Sequence, residues 1–170
     1  MGSPDREALG VDIGGVIIAR GARGADTAFR REDALDTPEV EGAVDTIAEL
    51  AGGRFGRRVF LVSKCGPRTR ARTLRWLKRH RFFERTGLRA KHVRFCMERG
   101  EKAPICRELG ITHFVDDRLD VLVSLTTVPY RYLLDVGGAG GPGHAPPRSI
   151  LRVSSWDEIA RALRRTPGGV

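Results

Sequence analysis

The size and charge of the chain restrict it to a few protein classes. With 170 residues, 41% of them hydrophobic, it can bury one core but has little room for a second full domain, so we predict a single domain over 1–170. No apolar run approaches the roughly 20 residues needed to cross a bilayer, and residues 1–6 do not resemble a signal peptide. We therefore expect a cytoplasmic protein with no membrane partner. Its net charge of +9 would attract polyanions, although an Arg-rich composition can also reflect coding bias.

Apolar runs and helical spacings alternate along the chain. In chain order they predict a strand at 9–18, a helix at 40–50, a strand at 58–63, a helix at 67–80, a strand at 92–95, a helix at 103–109, a strand at 111–115, a helix at 118–125, a strand at 130–134 and a helix at 156–163. This alternation predicts an α/β fold built on a doubly wound parallel sheet. Ligands of such sheets bind at the carboxyl ends of the strands.

Two segments do not fit the alternation. Residues 19–39 are mostly polar and rich in Gly and Arg, and we interpret them as a short insertion or loop. Residues 137–149 include the run GGAGGPGHAPP, which predicts a flexible loop. The glycines of that run do not lie between a strand and a helix, which argues against a dinucleotide-binding loop.

Asp12 is the only charged residue in its predicted strand. An ionised carboxylate among apolar residues is costly unless a cation or hydrogen bonds compensate it, so a functional site is expected there. Gly14 and Gly15 follow and allow the backbone to turn tightly and approach a bound group closely. The alternative is a structural carboxylate that caps a nearby helix or ends the strand.

Asp116 and Asp117 are adjacent acids that follow the predicted strand 111–115. Two such carboxylates repel each other unless they share a cation, and magnesium prefers hard oxygen ligands. The alternative is that one of them is the N-cap of the next helix, which leaves the other unexplained. Asp120 either positions a lysine of the site or faces solvent.

Two further positions gain meaning only from their place in the fold. Ser63 ends the second predicted strand, where its hydroxyl and the amides of Lys64 and Cys65 could face a phosphate. Lys102 precedes the helix before the fourth strand and could neutralise phosphate charge. Taken alone, neither residue distinguishes a site from an ordinary surface.

The order of these polar positions resembles the four motifs of the haloacid dehalogenase superfamily over nearly the whole chain. VDIGGVI looks like the nucleophile loop, FLVSK like the strand-end Ser/Thr motif and HFVDDRLDVL like the acidic metal motif, with Lys102 in the place of the lysine motif. FVDDRLD is particularly similar to the deoxyribonucleotidase branch, and SSWDEI resembles the C-terminal end of such phosphatases.

The resemblance implies a Mg²⁺-dependent phosphomonoester hydrolase that works through an aspartyl-phosphate on Asp12. The implied catalytic residues are Asp12, Ser63 and Lys102. The implied metal ligands are Asp12, the Gly14 carbonyl, Asp116 and Asp117. The implied phosphate-binding residues are Gly14, Gly15, Ser63, Lys64 and Lys102. The chain departs from the family at Gly14, where its phosphatases usually carry a second Asp as general acid and base.

The resemblance also bears on substrate size. Crossover helices use much of the chain between Asp12 and Lys102, so a large cap domain does not fit, and family members without a cap often act on bulky phosphates. A strongly basic helix at 68–81 suits a nucleotide, a nucleic-acid end or another bulky phosphate. Trp76 within it either stacks on a base or belongs to the core.

Other functions are consistent with the same residues. The chain could be a catalytically weak binding module that keeps the fold and the metal site, a hypothesis motivated by Gly14. It could also be a basic nucleic-acid-binding protein, whose binding would be salt-sensitive and indifferent to Mg²⁺. Dehalogenation is a further enzymatic alternative, although that branch normally carries a cap. The oligomeric state is left open.

Overall fold

Strands and helices alternate in the computed structural model, which describes residues 7–20, 35–136 and 146–165. The strands are β1 (Leu9–Val11), β2 (Val59–Lys64), β3 (Val93–Cys96), β4 (His113–Asp116), β5 (Tyr130–Leu134) and β6 (Ile150–Val153). The helices are α1 (Ala43–Gly52), α2 (Pro67–Arg79), α3 (Phe82–Thr86), α4 (Lys102–Leu109), α5 (Leu119–Ser124) and α6 (Trp156–Arg165). Short 3₁₀ turns at Ala90–His92 and Arg99–Glu101 precede β3 and α4.

The six strands form one parallel sheet in the order β3-β2-β1-β4-β5-β6. Chain order runs outward from β1 to β3 on one side and from β4 to β6 on the other, so the winding reverses between β1 and β4. The predicted α/β class and doubly wound parallel sheet are confirmed. Ligands of such sheets bind beyond the carboxyl ends of the strands, at the point of reversal.

Apolar side chains cover both faces of the sheet. Val115 belongs to a buried cluster with residues of α1, α2, α3 and α6, whereas its neighbour Phe114 belongs to a second cluster with residues of α4 and α5. Leu61 and Val62 on β2 divide between the clusters in the same way. Successive residues of a strand point to opposite faces, so the two clusters are the two sides of a sheet buried on both faces.

The first strand is shorter than predicted. β1 ends at Val11 and the chain then turns tightly, so that the carbonyl oxygen of Ile13 accepts the amides of Val16, Ile17 and Ile18 at 3.3, 2.9 and 3.0 Å. The expectation of a strand through residue 18 is therefore wrong. The apolar residues after Asp12 are buried because this turn packs on the core, which a continuous apolar run does not distinguish from a strand.

Two elements were not predicted. α3 is a separate five-residue helix because Arg81, at φ 53°, adopts the left-handed conformation and breaks the helical path after α2. β6 pairs in parallel with β5, with Ile150 opposite Arg131. Its short sequence ILRV shows little periodicity, and its pairing depends on the free edge of β5.

The predicted loops lie largely outside the described residues. Of the 19–39 segment the structure describes only 19–20 and 35–39, and of the 137–149 segment only 146–149. Within the described ranges there is no cap domain, because the connection from β2 to β3 consists of α2, α3 and a 3₁₀ turn. In the same ranges, no helix is both long and apolar enough to span a membrane.

Candidate active site

The predicted site residues meet at the carboxyl edge of the sheet, where the winding reverses. Val11 at the end of β1 lies opposite Leu61 of β2 and Val115 of β4. Asp12 follows β1 directly, and its amide donates to the carbonyl oxygen of Val115 at 3.0 Å. Asp116 is the last residue of β4. The register of these parallel strands places Asp12 beside Asp116, although the two residues are far apart in the sequence.

Lys102 joins these acids in the interior. Its side chain is only 3% exposed, and its Nζ lies 3.0 Å from Asp12 Oδ1 and 2.8 Å from Asp116 Oδ2. Burial alone would lower the pKa of Lys102, but the two carboxylates outweigh burial and raise it above its ordinary value. The ammonium of Lys102 therefore holds the side chain of Asp12 in place and balances its charge.

The 3₁₀ turn before α4 fixes the position of Lys102. The carboxylate of Glu101 accepts the amides of Met97 and Glu98 at 2.8 and 2.7 Å. These bonds close the turn from β3 into α4. Lys102, the first residue of α4, can therefore reach Asp12 and Asp116 at the ends of β1 and β4. No sequence pattern distinguishes Glu101 from the other acids of the chain, so its role was not predicted.

Asp116 is the most deeply buried acid of the group. Its side chain is fully buried, Oδ2 accepts from Lys102, and Oδ1 accepts the amide of Arg118 at 2.9 Å. Burial and the neighbouring charge of Asp12 raise the pKa of Asp116, while Lys102 opposes that rise. The alternative role of an N-cap is only partly met. The residue directly before α5 is Arg118, and Asp116 accepts the amide of that residue and not an amide within the helix.

Asp117 faces a different cation. It forms an ion pair with Arg20, whose side chain is 42% exposed, while that of Asp117 is 8% exposed. Burial and the charge of Asp12 raise the pKa of Asp117, and Arg20 opposes the rise. Arg20 lies at the start of the predicted 19–39 loop, and nothing in the sequence distinguishes it from the many other arginines.

The donor set fits a divalent cation. Asp12, Asp116 and Asp117 each offer a carboxylate oxygen, and these oxygens lie within 4.8 Å of one another. Among the described residues, the buried Oδ1 of Asp117 has no hydrogen-bond partner. Three carboxylates face two cations, Lys102 and Arg20, so the ionised cluster carries excess negative charge. A hard cation such as Mg²⁺ suits both the charge and the oxygen ligands.

The two glycines after Asp12 differ in role. Gly15 has φ +80°, and a Cβ at this position would overlap Asp117 Oδ2 and come close to Arg20 Nε. Gly14 is exposed, and a Cβ there would meet no heavy atom within 4 Å. Gly15 is thus required by the backbone and by the approach of Asp117, whereas a Cβ at position 14 would be free of contacts with the described residues.

Replacing Gly15 by Ala should destabilise the fold and displace Asp117. Gly87→Ala is a matched control, since Gly87 has φ +71° but a Cβ there would meet no heavy atom within 4 Å. Left-handed backbone alone costs a non-glycine residue about 1 kcal/mol or more, and we expect Gly15→Ala to lose at least about 1 kcal/mol beyond the control because of the added overlap. Urea unfolding measures both values. Equal losses would contradict the close approach of Asp117.

The remaining predicted residues lie near the cluster without joining it. Ser63 is buried near the end of β2 opposite Phe95, and Lys64 beside it is exposed. Among the described residues, no hydrogen bond or ion pair links Ser63, Lys64 or Gly14 to the three carboxylates. Their predicted contacts with a phosphate stay a prediction.

Two open alternatives are decided by the contacts. Asp120 is exposed and pairs with Arg118 at 3.2 Å and Arg99 at 4.0 Å, so it faces solvent and does not position Lys102. Trp76 is fully buried, and its indole N–H donates to the carbonyl oxygen of Thr37 at 2.8 Å. Trp76 therefore belongs to the core and is not available to stack on a base.

Comparison with solved structures identifies the fold. A candidate haloacid dehalogenase-like hydrolase from Burkholderia xenovorans matches with a TM-score of 0.63 and 12% identity, covering 93% of this chain and 96% of that one. A haloacid dehalogenase family hydrolase from Deinococcus radiodurans, solved with bound phosphate and sodium, matches with a TM-score of 0.54 and 15% identity, covering 95% and 96%. No protein-family model and no curated protein matches the chain. The predicted resemblance is confirmed at the level of the fold: the chain has the fold of haloacid dehalogenase-like hydrolases.

Proposed function

We propose that the chain is a Mg²⁺-dependent phosphomonoester hydrolase whose nucleophile is Asp12. The observation that supports this most is the contact between Asp12 and the buried Lys102, at 3.0 Å, beside two further carboxylates at the carboxyl edge of the sheet. A lysine so placed holds Asp12 in position and balances part of its negative charge. These are the properties that a carboxylate nucleophile needs.

Asp12 is the best placed of the three acids to attack a substrate. Asp116 is fully buried, and its two oxygens are engaged by Lys102 and the amide of Arg118. Asp117 is paired with Arg20. The side chain of Asp12 is 11% exposed, against 8% for Asp117 and 0% for Asp116, so Asp12 is the acid that a phosphate can reach most readily.

The proposed reaction has two displacements. A carboxylate oxygen of Asp12 attacks phosphorus, the bond from phosphorus to the ester oxygen breaks, and that oxygen leaves with the electron pair. Water then attacks the phosphorus of the aspartyl-phosphate, releases inorganic phosphate and restores the Asp12 carboxylate. In both steps Lys102 keeps its proton and balances charge beside Asp12.

Charge is the main obstacle to the first displacement. Two unit negative charges about 4 Å apart repel by about 4 kcal/mol at an effective dielectric of 20. Lys102 offsets part of this repulsion, and we expect Ser63 and the amide of Lys64 to bind phosphate oxygens. When bound, Mg²⁺ would supply the remaining positive charge, held by Asp12, the Gly14 carbonyl, Asp116 and Asp117. The phosphate bound by the Deinococcus radiodurans neighbour supports a phosphate ligand for this fold.

Phosphate release from acetyl phosphate tests the proposal. Acetyl phosphate is small and has a good leaving group, so it needs neither a large pocket nor a general acid. We expect purified protein to release phosphate in the presence of Mg²⁺, to stop on addition of EDTA and to resume when Mg²⁺ is restored in excess. Absence of metal-dependent release would contradict the proposal and favour the binding module.

Removing Arg20 should strengthen Mg²⁺ binding. The guanidinium of Arg20 and a divalent cation compete for Asp117, and a partly exposed ion pair contributes about 1 kcal/mol or less. We therefore expect Arg20→Ala to lower the Mg²⁺ dissociation constant by up to about fivefold. The rise of the melting temperature with Mg²⁺ concentration measures it.

Arg99→Ala is the control for Arg20→Ala, since Arg99 pairs with Asp120 outside the cluster. It should leave the Mg²⁺ dependence of the melting temperature as in the wild type. Weaker Mg²⁺ binding in Arg20→Ala would show that the guanidinium supports the metal site and does not compete with the ion.

A further inference from the structure

A groove of about 300 Å³ opens between the start of α2 and the end of β3, next to the candidate active site. Its lining includes Cys65, Arg70, Leu74, Phe95 and Met97, and we call it the β2–β3 groove. It begins two residues after Ser63. Cys96, which also lines the groove, donates its Sγ–H to the carbonyl oxygen of Ser63 at 3.7 Å, so the groove and the end of β2 are in contact.

The lining of the groove suits a flat apolar group. Met97 is 57% exposed although it is a large hydrophobic residue, and Leu74 and Phe95 are only partly buried. The guanidinium of Arg70 lies 5.4 Å from the centroid of the Phe95 ring. No acid is among the lining residues, and in the described ranges Arg70 has no carboxylate partner. Aromatic, thioether and guanidinium surfaces of this kind bind aromatic rings well.

Among the described site residues, no acid side chain stands at position 14 to protonate a leaving group, because residue 14 is glycine. Within the described residues the carboxylates of the cluster are paired with cations: Asp12 and Asp116 with Lys102, and Asp117 with Arg20. Position 14 faces open space and carries no side chain. Without an acid at position 14 we expect the ester oxygen to leave as an anion, which favours a phenol, with a pKa of about 10, over the far more basic alkyl alcohols.

From these two observations we propose that the substrate is a small aryl monophosphate whose ring binds in the β2–β3 groove. This inference rests on the proposed phosphatase activity of Asp12. In the first displacement the bond from phosphorus to the phenolic oxygen breaks, the phenolate leaves with the electron pair, and it takes its proton from solvent. The groove binds the ring. Because the phenolate is a weak base, it can leave without a general acid to protonate it.

Binding of phosphonates tests the groove without turnover. Phenylphosphonate and methylphosphonate share the anionic group and cannot be hydrolysed at a P–O ester bond. Calorimetric titration in the presence of Mg²⁺ should show phenylphosphonate binding at least about tenfold more tightly, the effect of one good apolar contact. Equal affinities, or no binding of phenylphosphonate, would overturn the inference.

Two variants locate the ring. Met97→Ala removes an exposed wall of the groove, and Ala71→Leu fills it from the exposed face of α2 while keeping a good helix former. Each should reduce the preference for phenylphosphonate over methylphosphonate by about tenfold. Leu151→Ala, at a 50% exposed residue on the far edge strand β6, is the control and should keep the preference. An unchanged preference in both groove variants would overturn the proposed location.

Kinetics test the leaving-group argument and separate it from the proposed function. The wild type should prefer phenyl phosphate over β-glycerophosphate in kcat/KM by at least about 10²-fold, and Gly14→Asp should narrow this ratio by raising turnover of the alkyl ester. Turnover of acetyl phosphate with no preference for phenyl phosphate would overturn the inference alone. Failure to release phosphate from both acetyl phosphate and phenyl phosphate would overturn the proposed function, while phosphonate binding would still report on the groove.

Discussion

Replacing Asp12 by Asn is expected to reduce kcat by more than about 10⁴-fold, since loss of a nucleophile leaves only the contribution of binding. Asn has the size of Asp, and Lys102 keeps its contact with Asp116, so the fold should persist. The amide cannot form the acyl phosphate that the carboxylate forms. Phosphate release from acetyl phosphate measures the rate, and mass spectrometry of acid-quenched wild-type protein should show the mass of one added phosphoryl group.

Asp157→Asn provides the matched control for this variant. Asp157 is an exposed acid in the first turn of α6, far along the chain from the cluster, and its replacement should keep kcat within experimental error. A comparable loss in both variants would point to a general charge effect. Full activity of Asp12→Asn would remove the basis of the proposed mechanism.

Replacing Lys102 by Met is expected to destabilise the protein by about 3 to 5 kcal/mol, the cost of leaving a buried ion pair without one partner. Lys102 and Asp116 have side chains that are 3% and 0% exposed, so water cannot take over the lost contact. Asp12 and Asp116 would then face each other without the cation between them. Urea unfolding at neutral pH measures the change in the free energy of unfolding.

Lys64→Met tests whether the effect is specific to the buried lysine. Lys64 is exposed at the end of β2, so its replacement should change the free energy of unfolding by about 0.5 kcal/mol or less. A small loss in Lys102→Met would mean that the acids rearrange or take up protons at little cost. It would then argue against a preorganised charge cluster.

The sequence was informative about the site because parallel strands have a shared edge. Asp12 and Asp116 each directly follow an apolar run, and the carboxyl ends of neighbouring parallel strands coincide. A prediction of strand positions therefore implies that residues about a hundred positions apart along the chain will meet. The position of Lys102 at the start of the helix that leads into β4 was uninformative alone, and its assignment depended on the resemblance to the lysine motif of the haloacid dehalogenase superfamily.

Other parts of the site depend on contacts that no local pattern encodes. Arg20 is one of many arginines, and only the turn after Asp12 brings it to Asp117. The sequence pattern predicts a strand in place of that turn. A run of buried β-branched residues is found in strands, but it is equally compatible with a turn that packs on the core. The β2–β3 groove likewise depends on how α2 and the end of β3 pack, which side-chain volumes decide and periodicity does not.

By itself, the sequence determined the α/β class, the parallel sheet and the set of acids and lysine expected at one edge of it. The class, the sheet and the acids follow from hydrophobic periodicity and from the cost of a charge in an apolar strand, both of which are local properties. The lysine followed from the order of motifs that resembles the haloacid dehalogenase superfamily. The tertiary structure decided which groups are paired: Lys102 with Asp12 and Asp116, Arg20 with Asp117, and Trp76 with the core. Pairing depends on distances of a few ångströms between distant segments, and only the packed fold sets those distances.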